Sequence, residues 1–344
     1  MQGEENLAIQ SSGRIPPSTE RWWLGTKPMR RSGMTLIELL VAMGIVAFLV
    51  GLLLSAVHAT REASRRVLCT NNLKQVILAS QNYAVIWNGM PPGSMGTKLG
   101  PQRGNQFSLH CKLLPYLDLG ALYAAINFSA PGVVYDNIVL ANTTVRDSAV
   151  SIFVCPSDPE AKRTGGAVSI RMNAGLCSVC PEAGTGVFVF ERQTSLADYK
   201  DGTSHTLAFS EKAIGSDRAF GAAFKDWARS SKPLSMRATA DAWRSNCNKQ
   251  REVRRDWITD GGGTWLLGGA RYTAFFVAGV PNDPIPDCGS THMSGSGLFS
   301  ARSYHPQGVN AAMIDGSVRF FQSSTNLGVW RALGTRGGGE ITEE

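Results

Sequence analysis

The longest run of apolar residues in the chain lies near the N-terminus, at residues 34–57. Its 24 residues contain a single charged side chain, Glu38. A helix of this length is about 36 Å long at about 1.5 Å per residue, which is enough to cross a bilayer core of about 30 Å. No other segment of the sequence is as long and as apolar. The pattern therefore predicts one transmembrane helix over residues 34–57.

Beyond residue 57 the pattern changes to the 3.6-residue period of an amphipathic helix. The apolar positions at this spacing are Ala63, Val67, Leu73, Ile77 and Ala84. Gly89 and the following Pro-Pro pair are typical of a helix end. We therefore predict that the helix continues over residues 58–88 and that its apolar stripe packs on the rest of the chain.

After residue 89 the apolar positions fall in short runs separated by turn residues, the pattern of a β-rich domain. The clearest hairpin is centred on Asp315-Gly316, because glycine accepts the positive φ of a tight turn at little cost. A short packed helix is predicted over residues 113–123. The predicted strands are 153–155, 187–190, 206–211, 309–314 and 318–321. The expected fold class is α+β, with one long N-terminal helix packed on a mainly antiparallel β-sheet head with loop-rich insertions.

Residues 215–300 have the least regular pattern and are interpreted as a variable insertion. Their tryptophans are Trp227, Trp243, Trp257 and Trp265, and arginines are interspersed among them. Basic residues alternating with aromatic ones are compatible with binding to nucleic acid or a polyanion. Acidic residues dilute the positive charge, however, and the segment contains no nucleic-acid-binding motif. We therefore expect the tryptophans to pack inside the domain and expect no nucleic-acid partner.

The net charge of +7 is relevant mainly to membrane topology and to anionic partners. Arg30 and Arg31 precede the apolar stretch and favour a cytoplasmic N-terminus, although Arg61, Arg65 and Arg66 follow it. For an exported domain, the expected anionic partners are lipid headgroups and acidic envelope polymers. We therefore expect a single-pass inner-membrane protein whose C-terminal domain is extracytoplasmic, either periplasmic or at the cell surface.

Seven cysteines in an exported domain indicate disulfides, and the odd number leaves at least one cysteine free or bonded between molecules. Cys177 and Cys180 form a C-x-x-C pair. Zinc would need a second pair of ligands at short spacing, and redox activity would need the motif at the start of a helix. The sequence around this pair shows neither feature, so a local or structural disulfide is favoured over a metal or redox site.

Residues 33–40, Gly-Met-Thr-Leu-Ile-Glu-Leu-Leu, carry a specific signal ahead of the apolar stretch. A carboxylate such as that of Glu38 costs a few kcal/mol inside a membrane helix unless it has a partner. One interpretation is an acid at the membrane interface near the helix end. The other is a resemblance, since these residues are similar to the prepilin signature of type IV pilins and type II secretion pseudopilins.

The prepilin resemblance implies a processing pathway. Prepilin peptidase would cleave between Gly33 and Met34, Met34 would be N-methylated, and Glu38 would pair with the N-terminal ammonium of a neighbouring subunit. Two buried charges are tolerable as a pair and costly alone. Residues 1–33 would then be a disordered, cleaved leader. If translation starts at Met29, the leader shortens to Met-Arg-Arg-Ser-Gly.

Several blocks along the chain resemble the pilin-like family DUF1559 (SBP_bac_10). These blocks are residues 71–75 with Pro91-Pro92-Gly93, 113–118, 153–159, 201–206 with Glu211, and a C-terminal H-x9-DG motif formed by His305, Asp315 and Gly316. His205 stands where the family usually has Asn. The resemblance implies a pilin-like architecture, with a head over residues 89–325 and a tail over 326–344, but the family has no established biochemical function. Cys155 lies in the 153–159 block, and Cys69 is one candidate disulfide partner for it. This bond would tie the sheet to the long helix.

The sequence favours a structural role over catalysis. It contains no G-x-S-x-G elbow and no H-E-x-x-H metal motif. We therefore expect a hydrogen-bonded structural role for His305, no catalytic residues, no metal and no cofactor.

The leading hypothesis is a pilin- or pseudopilin-like subunit whose partners are prepilin peptidase, membrane lipid and like subunits in a filament. The alternative is a membrane-tethered binding protein for an envelope polysaccharide or solute, without a filament. An envelope enzyme would need polar residues converging in a cleft, for example around His305.

Overall fold

The structure is a computed structural model, and it describes most of the chain from residue 33 to residue 338. The described residues are 33–95, 107–130, 141–162, 165–177, 184–218, 224–229, 238–249, 257–289 and 297–338, with the backbone of 133–134, 137–138 and 140. Residues 1–32 of the predicted leader lie outside them. The chain divides into two units, Met1–Ser55 and Ala56–Glu344.

Helix α1 (Leu36–Trp87) is 52 residues long and contributes to both units. Its first part, through Ser55, consists of exposed residues, nearly all apolar. Among the described residues it is the one helix long and apolar enough to cross a membrane. The helix ends where Asn88 adopts a positive φ of 55°, followed by Gly89 and two prolines. The prediction of one long N-terminal helix is therefore confirmed.

The packed face of α1 begins later than the hydrophobic pattern predicts. Its buried residues are Cys69, Leu73, Val76, Ile77, Ala79, Ser80, Tyr83 and Ala84. Ala63 is exposed and Val67 is 59% exposed, so the predicted stripe is correct from Leu73 onward and wrong at these two positions. A helical period reports which side of a helix is apolar, but not where along the helix its packing partner starts.

Within the described part of the chain, the strands form two larger sheets and two short ribbons. They are β1 (Ser94–Met95), β2 (Phe107–Ser108), β3 (Val133–Val134), β4 (Asn137–Ile138), β5 (Ile170–Asn173), β6 (Leu207–Glu211), β7 (Trp227–Arg229), β8 (Trp257–Ile258), β9 (Ala274–Phe275), β10 (Cys288–Gly289), β11 (Gly297–Leu298), β12 (Gly308–Met313) and β13 (Val318–Gln322). The five-stranded sheet has the order β13-β12-β6-β5-β9, and the four-stranded sheet has the order β11-β10-β7-β8. All pairs are antiparallel except β5 with β9 and β7 with β10. The α+β class with a mainly antiparallel head is confirmed.

Short helices alternate with or follow the strands along the chain. They are α2 (Leu109–Leu113), α3 (Gly120–Ala124), α4 (Thr143–Arg146), α5 (Ala240–Lys249) and α6 (Leu327–Gly334). The helix predicted over residues 113–123 is interrupted, because a 3₁₀ turn over Leu114–Leu117 ends at Asp118 with a positive φ of 57°. The predicted C-terminal tail contains α6, which Asn326 caps and whose Trp330 is fully buried.

The hairpin β12–β13 forms as predicted around Asp315-Gly316. Gly316 has a φ of 88°, and Asp315 Oδ1 accepts a hydrogen bond of 2.8 Å from the Ser317 N–H. Helix α1 contacts this turn through two side chains. Lys74 Nζ donates to the Gly316 carbonyl at 2.6 Å, and Gln81 Nε2 donates to the Ile314 carbonyl at 2.7 Å. The turn is therefore part of the surface on which α1 packs.

Two predicted strands are wrong. Phe153 ends a 3₁₀ turn over Ser151–Phe153, and Val154 and Cys155 continue as irregular backbone. Among the described residues, 187–190 form an isolated bridge between Val189 and Arg192 and no strand. Phe153, Val187 and Phe188 are nevertheless fully buried. A short apolar run reports burial, and whether it becomes a strand depends on a partner that the run itself does not reveal.

The segment predicted as an insertion, 215–300, also supplies part of the main sheet. Strand β9 pairs in parallel with β5, and Trp265 lies in the largest hydrophobic cluster. Trp227 and Trp243 are also buried. Three of the four tryptophans of this segment therefore pack in the interior, and Trp257 is half-buried.

Candidate functional site

The candidate processing site lies directly before α1. Gly33, Met34 and Thr35 precede the helix in irregular backbone, and Met34 is 63% exposed. A Cβ atom added at Gly33 would meet no atom within 4 Å among the described residues. The Gly33–Met34 peptide bond is thus accessible, and the surroundings place no demand of their own on a glycine at this position.

Glu38 forms a reciprocal capping arrangement with Thr35. Glu38 Oε2 accepts hydrogen bonds of 2.9 Å from both the N–H and the hydroxyl of Thr35, and the Glu38 N–H donates to Thr35 Oγ1 at 3.3 Å. This capping box satisfies N–H groups that the first helical turn leaves open. Sequence reasoning missed it, although the Thr-x-x-Glu spacing before an apolar run is its signature.

The capping box leaves half of the Glu38 carboxylate unused. Both donors of Thr35 meet Oε2, so Oε1 has no hydrogen bond within the described part of the chain, and no salt bridge there involves Glu38. A cation arriving from another molecule can therefore bind Oε1 without breaking the cap.

A second cluster, which we call the His305 cluster, joins α1 to the sheet. His305 Nδ1 lies 2.9 Å from Glu62 Oε1 on α1, and Nε2 lies 3.1 Å from Glu211 Oε1 at the end of β6. Nε2 is also 3.4 Å from Cys155 Sγ, which is bonded to Cys69 of α1. The side chains of His305 and Glu211 are 0% and 2% exposed, and that of Glu62 is 28% exposed.

The charges of the His305 cluster support one another. Burial lowers the pKa of His305, but hydrogen bonds and negative charge from Glu211 and Glu62 outweigh burial and raise it above 6.5. Burial likewise opposes ionisation of Glu62, yet hydrogen bonds from Arg65, His305 and Ser157 lower its pKa below 4.5. The arrangement is a buried, hydrogen-bonded histidine between two carboxylates. The Ser157 hydroxyl donates to Glu62 Oε1 at 3.1 Å and is not a hydrogen-bond partner of the His305 ring within the described residues.

The two ends of the H-x9-DG pattern lie in different environments. His305 is in the buried cluster before β12, whereas Asp315 and Gly316 form the turn after that strand. Six strand residues at about 3.3 Å each separate the two positions. His205 is elsewhere again, in a turn where its Nδ1 lies 3.0 Å from Ser204 Oγ. The structure therefore does not gather these residues into one site.

A buried salt-bridge group, missed from the sequence, holds the loops beside the His305 cluster. Asp287 bonds Lys212 through Oδ2 and Arg302 through Oδ1, the latter at 2.9 Å, and all three side chains are at most 5% exposed. Arg302 also donates to the carbonyls of Asp283 and Ile285 at 2.6 Å. Burial lowers the pKa of Lys212 to about 8. Each charge in this group has its own partners, which is typical of a structural network.

The described cysteines are either disulfide-bonded or free. Cys69 pairs with Cys155, the candidate pairing considered from the sequence, and Cys247 pairs with Cys288. Cys177 is disulfide-bonded, and Cys180 lies outside the described residues. The free cysteine among the described residues is Cys111. Burial raises the pKa of its thiol to about 12, which disfavours the reactive thiolate.

Comparison with family models identifies first the class of protein and then the family. A model described as a prokaryotic N-terminal methylation motif matches residues 28–54, the stretch that contains Gly33, Met34 and Glu38. This motif indicates a type IV pilin-like protein with a prepilin-type N-terminus, and its apolar helix is consistent with a single-pass membrane anchor. A second model, SBP_bac_10, described as a protein of unknown function (DUF1559), matches residues 58–328. Because that match covers most of the chain, the chain belongs to the DUF1559 family. No curated protein and no solved structure matches the chain significantly.

Proposed function

We propose that this protein is a type IV pilin-like structural subunit, cleaved between Gly33 and Met34, N-methylated at Met34 and held in the inner membrane by the first part of α1. The observation that carries the proposal is Glu38, an acid in the first turn of an exposed apolar helix, whose Oε1 accepts no hydrogen bond from the described residues. The partners are prepilin peptidase, membrane lipid and further copies of the chain, and the subunit has no enzymatic activity and binds no nucleic acid.

Charge pairing explains why an acid is present in this helix. An unpaired carboxylate in a membrane costs a few kcal/mol, and two hydrogen bonds from Thr35 compensate only part of that cost. Cleavage would create an ammonium group on Met34. In a filament the ammonium of one copy would bind Glu38 Oε1 of another, so that each subunit completes the ion pair of its neighbour.

The disulfides support export of the C-terminal domain. Disulfides persist in oxidising compartments and are rare in the cytoplasm. The bonds Cys69–Cys155 and Cys247–Cys288 both lie in the unit Ala56–Glu344. An extracytoplasmic domain with a cytoplasmic leader is also the topology that Arg30 and Arg31 favour.

Mass spectrometry of the membrane-extracted protein tests the processing step. We expect a chain that begins at Met34 and carries one added methyl group on its α-amino nitrogen. The matched control is Gly33→Val, which should retain the leader. Because a side chain at residue 33 meets nothing in the described structure, its loss of cleavage would report peptidase recognition and not misfolding. An intact leader on the unaltered protein would contradict the proposal.

Three substitutions separate the charge of Glu38 from its capping role. Glu38→Ala removes both, Glu38→Gln keeps a capping acceptor without charge, and Thr35→Val removes the cap hydroxyl but keeps the carboxylate. We expect all three to be cleaved, and only Thr35→Val to assemble filaments, as judged by electron microscopy of sheared cells and by cross-linking. Assembly of the Gln variant would exclude charge pairing. A protein that forms no filaments and is indifferent to Glu38→Ala would instead favour the tethered binding protein.

A further inference from the structure

We propose that, when the Cys69–Cys155 disulfide is reduced, the two cysteines together with Glu211 and His305 form a binding site for one Zn²⁺ ion. One ligand atom from each of the four residues lies within 4.8 Å of all the others, and all four residues are buried. In the oxidised chain the two sulfurs are bonded to each other. The disulfide and the metal ion are therefore mutually exclusive occupants of one position.

The spacing of the four ligand atoms suits a tetrahedral ion. Zinc bonds of about 2.0–2.3 Å place neighbouring ligand atoms roughly 3.3–3.8 Å apart. His305 Nε2 is already 3.4 Å from Cys155 Sγ and 3.1 Å from Glu211 Oε1. The two bonded sulfurs must separate, which breaking their bond allows, and every other pair of ligand atoms already lies within 4.8 Å. Two thiolates and an imidazole select zinc over magnesium or calcium, which prefer oxygen ligands.

The surroundings orient the ligands as zinc sites require. Metal-binding histidines almost always donate their second ring N–H to a carboxylate or carbonyl, which fixes the tautomer. Here Nδ1 of His305 lies 2.9 Å from Glu62 Oε1, so a proton on Nδ1 leaves the lone pair of Nε2 facing Cys155 and Glu211. Glu211 Oε2 accepts the N–H of Asn310 at 2.8 Å, which holds Oε1 on the side of His305.

The chemistry balances with a dithiol as the reductant. The dithiol transfers two electrons and two protons to the disulfide, giving two thiols, and is itself oxidised to a disulfide. Zinc then binds as both thiols lose their protons to solvent, and a proton on His305 Nε2 is released in the same way. His305 Nε2 and Glu211 Oε1 complete the site. The ion would replace the covalent link between α1 and the Cys155 segment, so α1 would remain attached to the head in either redox state.

The second disulfide provides a matched control within the same chain. Cys247 and Cys288 are also bonded to each other and buried, but among the described residues neither belongs to a group of potential metal ligands. The reductant converts both disulfides to free thiols under the same conditions. Zinc protection confined to Cys69 and Cys155 would therefore report the ligand set and not reduced cysteines in general.

The test uses the full-length protein in detergent, reduced with dithiothreitol and freed of it by anaerobic gel filtration. Thiols are alkylated with and without Zn²⁺ and located by peptide mapping. We expect zinc to slow alkylation of Cys69 and Cys155 by about tenfold or more, because a zinc-bound thiolate reacts poorly, and to leave Cys247 and Cys288 unaffected. Equal effects on both pairs, or no effect on Cys69 and Cys155, would overturn the proposal.

Cobalt supplies a second, spectroscopic readout. Co²⁺ added to the reduced protein should give thiolate-to-cobalt charge-transfer bands and the visible absorption of a tetrahedral ion, whereas the oxidised protein should give neither. Glu211→Gln and His305→Gln should weaken metal binding, while Cys247→Ser with Cys288→Ser should leave these bands unchanged. Bands that disappear only in the Cys247/Cys288 variant would place the metal elsewhere and contradict the assignment.

Discussion

Replacing Asp287 by Asn is expected to lower the free energy of unfolding of the unit Ala56–Glu344 by about 3–5 kcal/mol, since breaking a buried ion pair leaves an uncompensated charge. Asp287 is the shared anion of Lys212 and Arg302, and none of the three side chains is more than 5% exposed. The amide of Asn fits the same space but leaves both cations without a counter-charge. Urea unfolding monitored by tryptophan fluorescence measures the effect.

An exposed ion pair gives the control for Asp287. Asp147 bonds Arg146, but its side chain is 55% exposed, so Asp147→Asn should cost less than about 1 kcal/mol. Burial opposes ionisation of Asp287, but Arg302 and Lys212 outweigh it and hold its pKa below 3.8. The stabilisation is therefore complete above pH 3.8 and is lost as the pH falls through the folded-state pKa, where protonated Asp resembles Asn. Equal costs for the two substitutions at pH 7 would contradict the assigned role.

Removing the Cys69–Cys155 bond by a double substitution to Ser should lower the free energy of unfolding by about 2–5 kcal/mol. The two cysteines are 86 residues apart, and a cross-link across a long loop strongly restricts the unfolded chain. The measurement is denaturant unfolding without reductant.

The control for the disulfide is chemical as well as genetic. Cys111→Ser reports the cost of exchanging a buried thiol for a hydroxyl where no bond is lost. In metal-free buffer containing a reductant, the difference between the unaltered chain and the double variant should largely vanish. A difference that survives full reduction in the absence of metal would mean that the stabilisation comes from packing of the sulfur atoms and not from the cross-link.

Local signals were sufficient for the elements that depend on local interactions. The length and composition of residues 34–57 predicted the first part of α1, and Asp315-Gly316 predicted the β12–β13 hairpin. Both depend on residues adjacent in sequence. The run at 187–190 has the β-branched and aromatic composition of a strand, but its residues enter no ladder among the described strands and form an isolated bridge between Val189 and Arg192. Composition alone therefore predicts a strand that does not form.

The candidate sites show the same division. The processing motif is a contiguous signature and is readable from the sequence. The Thr35–Glu38 capping box is also a local pattern, since Thr-x-x-Glu before an apolar run is its signature. The His305 cluster was not predictable. Glu62 and His305 are 243 positions apart, and only the packing of α1 on the sheet brings them together. Spacing along a chain carries no information about such a contact.

The position of Cys69 at the start of the packed face of α1 has a mechanical consequence. Force applied along the helix axis toward the N-terminus reaches the Cys69–Cys155 bond before it reaches Lys74 and Gln81, whose hydrogen bonds hold the hairpin turn. A covalent bond therefore carries the load that would otherwise pull these weaker contacts apart one after another. In the proposed filament, a subunit would keep its head attached under tension, and chemical reduction in the absence of metal would make the same junction tear more easily.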